Sequence, residues 1–226
     1  MIRRLSLAWP DAPAGGSRRV RLLAVSDEAE RALEFEPNRE QLGQLDGILG
    51  CGDLEPAYLG FLADAFCVPL LYVRGNHDRG ANWQAASAQL PGALDARVEP
   101  LAGINVAGLS WPSDAHGRAI RDEAAAWRQA LSLYLHARGR RPRIVASHVP
   151  PRGLGDAPAD DYHRGFAAYR WLCRRLKPLL WLHGHTSPAM ADRWRVDWGA
   201  TTLVNVTGAV LIEITAGAAG TANIEP

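Results

Sequence analysis

The sequence predicts an α/β fold of two packed sheets with helices outside. Three observations predict it. Apolar runs that read as strands alternate with helical segments from Val20 to Leu182. The tail from Thr202 onward carries β-branched runs punctuated by glycine and no helix signal. Strand after strand also ends abruptly on Asp, Asn or His, at the edge where open α/β sheets place their chemistry.

The elements follow in order. Residues 1–19 read as an extension, with Ile2 to Trp9 as a short edge strand and Asp11 to Ser17 as a Pro- and Gly-containing connector. Val20 to Val25 is the first core strand. A short helix is expected over Asn38 to Leu45, then a strand over Ile48 to Cys51. A helix from Pro56 to Phe66 has proline well placed in its first turn. The strand Val68 to Val73 follows, then a polar stretch from Arg79 to Leu94 without a clear period. Ile104 to Leu109 alternates in part and reads as a strand. In Arg118 to Arg138, the residues Ile120, Ala124, Trp127, Leu131 and Leu135 recur at helical spacing, and Gly139 ends the run. Arg143 to Ser147 is a strand, Gly165 to Leu176 a helix stopped before Pro178, and Leu179 to Leu182 a strand. Thr202 to Val206 and Val210 to Ile214 suggest a meander.

Composition narrows the function. A chain of 226 residues, 47% hydrophobic and 22% charged, fits one large soluble domain over 20–226. A formal net charge of +1 gives no general attraction to nucleic acid or anionic membrane. The tryptophans invite a stacking reading. Yet Trp127 and Trp171 fall in helices and Trp181 in a strand, where packing is the default. Trp111, Trp194 and Trp198 fall in loops, with no basic patch beside them. Cys51, Cys67 and Cys173 form no Cys-x-x-Cys pair and read as reduced thiols of a cytoplasmic protein. No apolar run is long enough to span a bilayer, and the N-terminal apolar stretch is too short for a signal peptide.

The strand ends carry the chemistry. Asp27 and Asp53 close two buried-looking strands with carboxylates. Asn76, in Gly75-Asn76-His77-Asp78, offers a carbonyl oxygen, and His148 and His185 offer imidazole nitrogens. This mixed set suits a divalent transition metal such as Mn, Fe or Zn. Gly52, Gly75 and Gly184 immediately precede three of these residues, where glycine permits a tight backbone turn. His77 is a poor ligand candidate, but it is placed to protonate a leaving oxygen, with Asp78 holding its other nitrogen.

Ser26-Asp27, Gly52-Asp53, Gly75-Asn76-His77-Asp78, Ser147-His148 and Gly184-His185 resemble, in order and spacing, the motifs of the calcineurin-like metallophosphoesterases. The likeness runs from about Arg21 to the C-terminal strands, and the tetrad is its most specific part. Pro150-Pro151-Arg152-Gly153 is similar to a small prokaryotic branch of that family. The resemblance implies a four-layer α/β/β/α sandwich of two mixed sheets. It implies hydrolysis of phosphomonoesters or phosphodiesters by metal-activated hydroxide at a two-metal centre, with Mn the first choice and Fe or Zn next. The expected partner is a small phosphorylated substrate, not a membrane, and nucleic acid is not indicated.

Two departures matter. The family's Asp-x-His is here Asp27-Glu28-Ala29, and its Gly-His-x-His is here Gly184-His185-Thr186-Ser187. The resemblance assigns both missing histidines to one metal site, which keeps Asp27 and the bridging Asp53. The other site keeps Asp53, Asn76, His148 and His185. One tight metal and one weak or absent metal are therefore expected. Glu28 and Glu30 read as solvated loop carboxylates, His183 as a hydrogen-bonded strand-end residue, and Ser187 as at best a holder of bridging water. Arg152 is a candidate phosphate contact or a surface arginine. His163 faces the site or caps a loop. Arg79 reads as a structural ion-pair partner, and His116 and His136 have no expected role. The alternative function is a scaffold on the same fold with weakened catalysis, for which the retromer scaffold subunit is a precedent.

Overall fold

The computed structural model describes residues 2–9, 19–113, 120–187 and 193–216. The expected connector over Asp11 to Ser17 and His116 lie outside the described residues.

The first sheet holds β1 (Arg3–Trp9), β2 (Val20–Ser26), β3 (Gly47–Cys51), β4 (Leu70–Val73) and β11 (Gly208–Ala216), in the order β1-β11-β2-β3-β4. The second holds β5 (Arg97–Leu101), β6 (Ile104–Leu109), β7 (Ile144–Ser147), β8 (Leu180–His183), β9 (Arg195–Trp198) and β10 (Thr201–Asn205), in the order β5-β6-β7-β8-β10-β9. Both are mixed. β2, β3 and β4 run parallel, as do β6, β7, β8 and β10, while β11 with β2, β5 with β6, and β9 with β10 pair antiparallel.

Side-chain alternation makes the layers. In β2, Leu22 and Ala24 face the second sheet, while Leu23 and Val25 face outward. Both faces are covered, so the strand reads as one continuous apolar run. The outer face of the first sheet lies under α1 (Glu36–Leu42), α2 (Pro56–Phe66) and α3 (Ala81–Ala86), through Leu42, Leu59, Leu62 and Trp83. That of the second sheet lies under α4 (Glu123–His136) and α5 (Ala167–Leu176), through Ala126, Ala130, Leu133, Tyr169 and Leu172. The result is the four-layer α/β/β/α sandwich.

Three differences from the sequence reading have physical causes. The long helix is present as α4, begun by Asp122, whose carboxylate accepts from the N–H groups of Ala124 and Ala125. Its buried face is not the one the large residues marked. Ala125, Ala126, Ala130 and Leu133 are buried, whereas Leu131 and Leu135 are exposed. Three alanines and Leu133 face the sheet, Trp127 and Tyr134 pack on Trp171 of α5, and Leu131 and Leu135 remain outside. The tail is not a meander. β10 joins the second sheet beside β8, and β11 crosses to the first sheet between β1 and β2. The stretch after the tetrad resolves into α3 and a short 3-10 turn, Ser87–Gln89, too brief to show a period.

Two parallel sets thus bring their C-terminal ends to the same region. The carbonyl of Cys51, ending β3, bonds the ring of His148, following β7. The N–H of His185, following β8, bonds the carboxylate of Asp27, following β2.

Candidate metal centre

Each candidate ligand is held by a specific local device. Asp27, Asp53 and His185 have φ values of 60°, 55° and 65°, the left-handed region that non-glycine residues rarely occupy. Backbone of this kind is expected where surroundings over-determine a functional geometry. Gly52, at φ 93°, supplies the turn before Asp53. Gly75 and Gly184 act differently. Neither has positive φ, but a Cβ on Gly75 would stand 2.1 Å from Asp53 Oδ1, and one on Gly184 would stand 2.0 Å from Ser26 Oγ and 2.2 Å from Asp27 Oδ2. At these two positions glycine is required for space, not for the turn.

The ligand atoms of Asp27, Asp53 and His148 lie within 4.8 Å of one another. His148 is fully buried. Its Nδ1 bonds the carbonyl of Cys51 at 2.9 Å, and a carbonyl only accepts, so Nδ1 carries the hydrogen. Its Nε2 faces Asn76 Oδ1 at 2.9 Å and Asp53 Oδ2 at 3.2 Å. A neutral imidazole would set its lone pair against two oxygens. The space between these three atoms calls for a positive charge, either a second proton or a cation. The residues therefore fit a divalent metal, whose mixed oxygen and nitrogen preference this donor set meets. Without a cation the proton takes the place. Burial opposes it, but the bond to Asp53 and the charges of Asp27 and Asp53 outweigh burial and raise His148 to about 9. Asp53 is held below the ordinary carboxylate range: burial acts against this, and is outweighed by His148 and by the N–H of His77.

His185 sits beside this group, its ring centroid 5.0 Å from that of His148. Its Nε2 bonds the carbonyl of Tyr162 at 2.9 Å, which leaves Nδ1 with the lone pair. Burial, then the charge of His148, push it down to about 3, so it stays neutral. Asp27 is already supplied with donors. The N–H of His185 lies 3.1 Å from both of its oxygens, and Thr207 Oγ1 donates to Oδ2 at 3.3 Å.

His77 is at the mouth. Its N–H donates to Asp53 Oδ1 at 2.7 Å, and its exposed ring puts Nε2 4.0 Å from Asp53 Oδ2. Asp78 does not hold that ring. Its Oδ2 accepts the N–H groups of Asp53 and Gly75, each at 2.7 Å, and so ties two strand-end turns together. Burial raises its carboxyl to about 6. Arg152, expected as a possible phosphate contact, instead pairs with Glu123 at 2.9 Å and donates to the carbonyl of Gly165. His163 does reach the centre. Its ring centroid is 5.0 Å from that of His185, and its Nδ1 pairs with Asp160. His183 is buried at the end of β8, with Nδ1 bonded to the carbonyl of Gly184. Ala29 and Glu28 are exposed and Ser187 is half-buried.

Sequence reasoning missed Tyr162 and Thr207. Tyr162 Oη accepts from Asn76 Nδ2 at 3.1 Å, and Trp111 packs its ring 5.3 Å from that of His185. Trp111 was legible only as a tryptophan in a loop. Nothing in the local sequence marked Tyr162 or Thr207.

A model of the calcineurin-like phosphoesterases matches residues 43–188. The chain belongs to that family. No curated protein sequence matches it significantly. Its fold is similar to several solved structures. One crystal structure aligns with a TM-score of 0.62 at 14% identity, covering 87% of this chain and 95% of the other. TT1561 of Thermus thermophilus aligns at 0.58 with 19% identity, over 84% of this chain and 90% of its own. GAP50, the anchor in the inner membrane complex of Plasmodium, aligns at 0.52 with 12% identity, over 84% and 71%. These likenesses speak to the fold. As a calcineurin-like phosphoesterase the chain carries Ala29 and Ser187 where the resemblance leads one to expect histidines. Among the described residues no helix is long and apolar enough to cross a membrane.

Proposed function

We propose that this protein is a metal-dependent hydrolase of phosphomonoester or phosphodiester bonds, acting on a small phosphorylated substrate with one tightly held cation. The observation that carries the reading is the convergence of His148 Nε2 with two acceptor oxygens, Asp53 Oδ2 and Asn76 Oδ1, on a place that only a proton or a cation can fill. Asp53, Asn76, His148 and His185 would hold the ion, with Asp27 alongside; Mn is the first candidate, then Fe or Zn. When bound, such an ion supplies Lewis acidity toward a phosphoryl oxygen and lowers the pKa of a water.

The chain's own residues do the rest. His77, exposed at the mouth and tied by its N–H to Asp53, carries a ring nitrogen that can deliver a proton to a leaving oxygen. Asp78 fixes the turns of Asp53 and Gly75, and so sets where His77 stands. Asp27 spends its oxygens on His185 and Thr207, which supports a weak or absent second ion. Free thiols at Cys51, Cys67 and Cys173 suit a cytoplasmic setting.

The test is hydrolysis of aryl phosphomonoesters and phosphodiesters after chelation and Mn²⁺ return. Restored activity with about one tight ion per chain is expected. A second reading, a scaffold on the same fold, is favoured by Ala29 and Ser187 in place of two histidines. It takes over if wild type and His77→Ala are equally inert on all such substrates.

A further inference from the structure

Tyr162 touches two proposed ligands that arrive from different sheets. Its hydroxyl accepts from Nδ2 of Asn76, which follows β4, at 3.1 Å. Its backbone carbonyl meets Nε2 of His185, which follows β8, at 2.9 Å. The turn that carries it is fastened from outside. Arg121 donates through Nε and Nη2 to the carbonyl of Asp161, at 3.1 and 2.6 Å, and through Nη2 to the carbonyl of Arg164 at 2.6 Å. Its guanidinium lies 5.2 Å over the ring of Phe166, and Nη1 is buried without a partner among the described residues.

The Asn76 amide has two ways to sit. With its oxygen toward His148, it faces Nε2 of a ring whose hydrogen is on Nδ1, a place that either a second proton or a cation fills. Turned over, it would give its NH₂ to His148 Nε2 and accept the Tyr162 hydroxyl proton, satisfying every group without a metal. The observed orientation is the first, with Oδ1 2.9 Å from His148 Nε2. That orientation needs an acceptor for the NH₂ group, and the Tyr162 hydroxyl is that acceptor. The carbonyl of the same residue holds the hydrogen of His185 on Nε2 and so leaves Nδ1 open.

We infer that Tyr162 is a positioning residue for the metal centre: its hydroxyl keeps the Asn76 oxygen turned inward, its carbonyl keeps His185 in the Nε2–H tautomer, and Arg121 clamps the turn that carries both. The inference rests on the proposed metal-dependent function. A phenylalanine at 162 leaves the amide free to turn its NH₂ into the place of the ion.

The experiment is calorimetric titration of the metal-free full-length protein with Mn²⁺, with thermal melting of every variant. Tyr162→Phe should bind Mn²⁺ about 10-fold or more weakly, the range for losing an outer partner of a ligand, with an unchanged melting point. The decisive comparison is the same change in an Asn76→Asp background. A carboxylate has no NH₂ to turn inward, so Tyr162→Phe should there cost no measurable affinity. Arg121→Ala should also weaken Mn²⁺ binding, with partial rescue by Arg121→Lys, and should blur the Nε2–H signature of His185 in ¹⁵N spectra. Equal affinity of wild type and Tyr162→Phe would overturn the inference. So would an equal loss in both Asn76 backgrounds, which would mark a merely structural role. An Arg121→Ala protein with unaltered affinity and His185 spectrum would overturn the clamp. Wild type that binds Mn²⁺ no better than His148→Ala would overturn the functional reading and this inference together.

Discussion

Asp27 and Asp53 end neighbouring parallel strands of one sheet, both in the left-handed region, yet they meet different surroundings. Around Asp53 the groups pointing inward are the oxygens Asn76 Oδ1 and Asp53 Oδ2 and the ring nitrogen His148 Nε2, with one donor, the N–H of His77, on Asp53 Oδ1. Around Asp27 they are donors, the N–H of His185 and the hydroxyl of Thr207. A motif carboxylate is therefore not a metal ligand by identity alone. Whether it attracts a cation depends on which other oxygens and nitrogens converge beside it as well as on its hydrogen bonds.

The largest effect that could break this contrast is His148→Ala. Removing a direct ligand should cost more than the roughly 10–100-fold lost with an outer partner. Tight Mn²⁺, measured by elemental analysis after dialysis, should fall from about one equivalent to none. A variant that keeps its ion would place the tight site on the Asp27 side instead. Next in size is His77→Ala. Turnover should drop about 10²–10⁴-fold, the usual contribution of a general acid, while the metal content stays as in wild type. Loss of metal together with activity would make His77 part of the cation site.

Ala29→His with Ser187→His addresses the weaker side directly. If both positions border Asp27, the pair should raise stoichiometry toward two ions, and each single change should do less. Unchanged stoichiometry in the pair would show that donor bonds to Asp27, not missing nitrogens, keep a second ion out. The smallest effect is expected from Thr207→Val. It removes a hydroxyl shared between Asp27 and the carbonyl of Thr186, and should cost about 0.5–1.5 kcal/mol in denaturant unfolding. If it also strengthens binding of a second Mn²⁺, the donor explanation gains its most direct support.

The residue types at the centre were legible because they are local. A buried strand that stops at Asp53, Asn76 or His148 must present that side chain at the sheet edge, whatever the rest of the chain does. Helix α2 was readable to the residue, since Pro56 starts it and apolar spacing carries it to Phe66. The α4 face was not, because alanine gives no hydrophobic signal against leucine, and three of its four buried helical positions are alanine. Gly75 and Gly184 were legible as glycines but not for their reason, since the atoms that exclude a Cβ come from Asp53, Ser26 and Asp27.

By itself, the sequence determined the layered α/β architecture, the strand ends that carry candidate ligands, and the two positions where the resemblance expects histidines. Each follows from period, chain order or residue identity. The tertiary structure decided which sheet β10 and β11 join, that Asp78 staples backbone instead of a ring, that Arg152 pairs with Glu123, that Tyr162 and Thr207 bond Asn76 and Asp27, and that Arg121 bonds the carbonyl of Asp161. These are hydrogen-bond assignments between segments far apart in the chain. A side chain's partners are set by what packs against it, and only the assembled sheets bring those groups within reach.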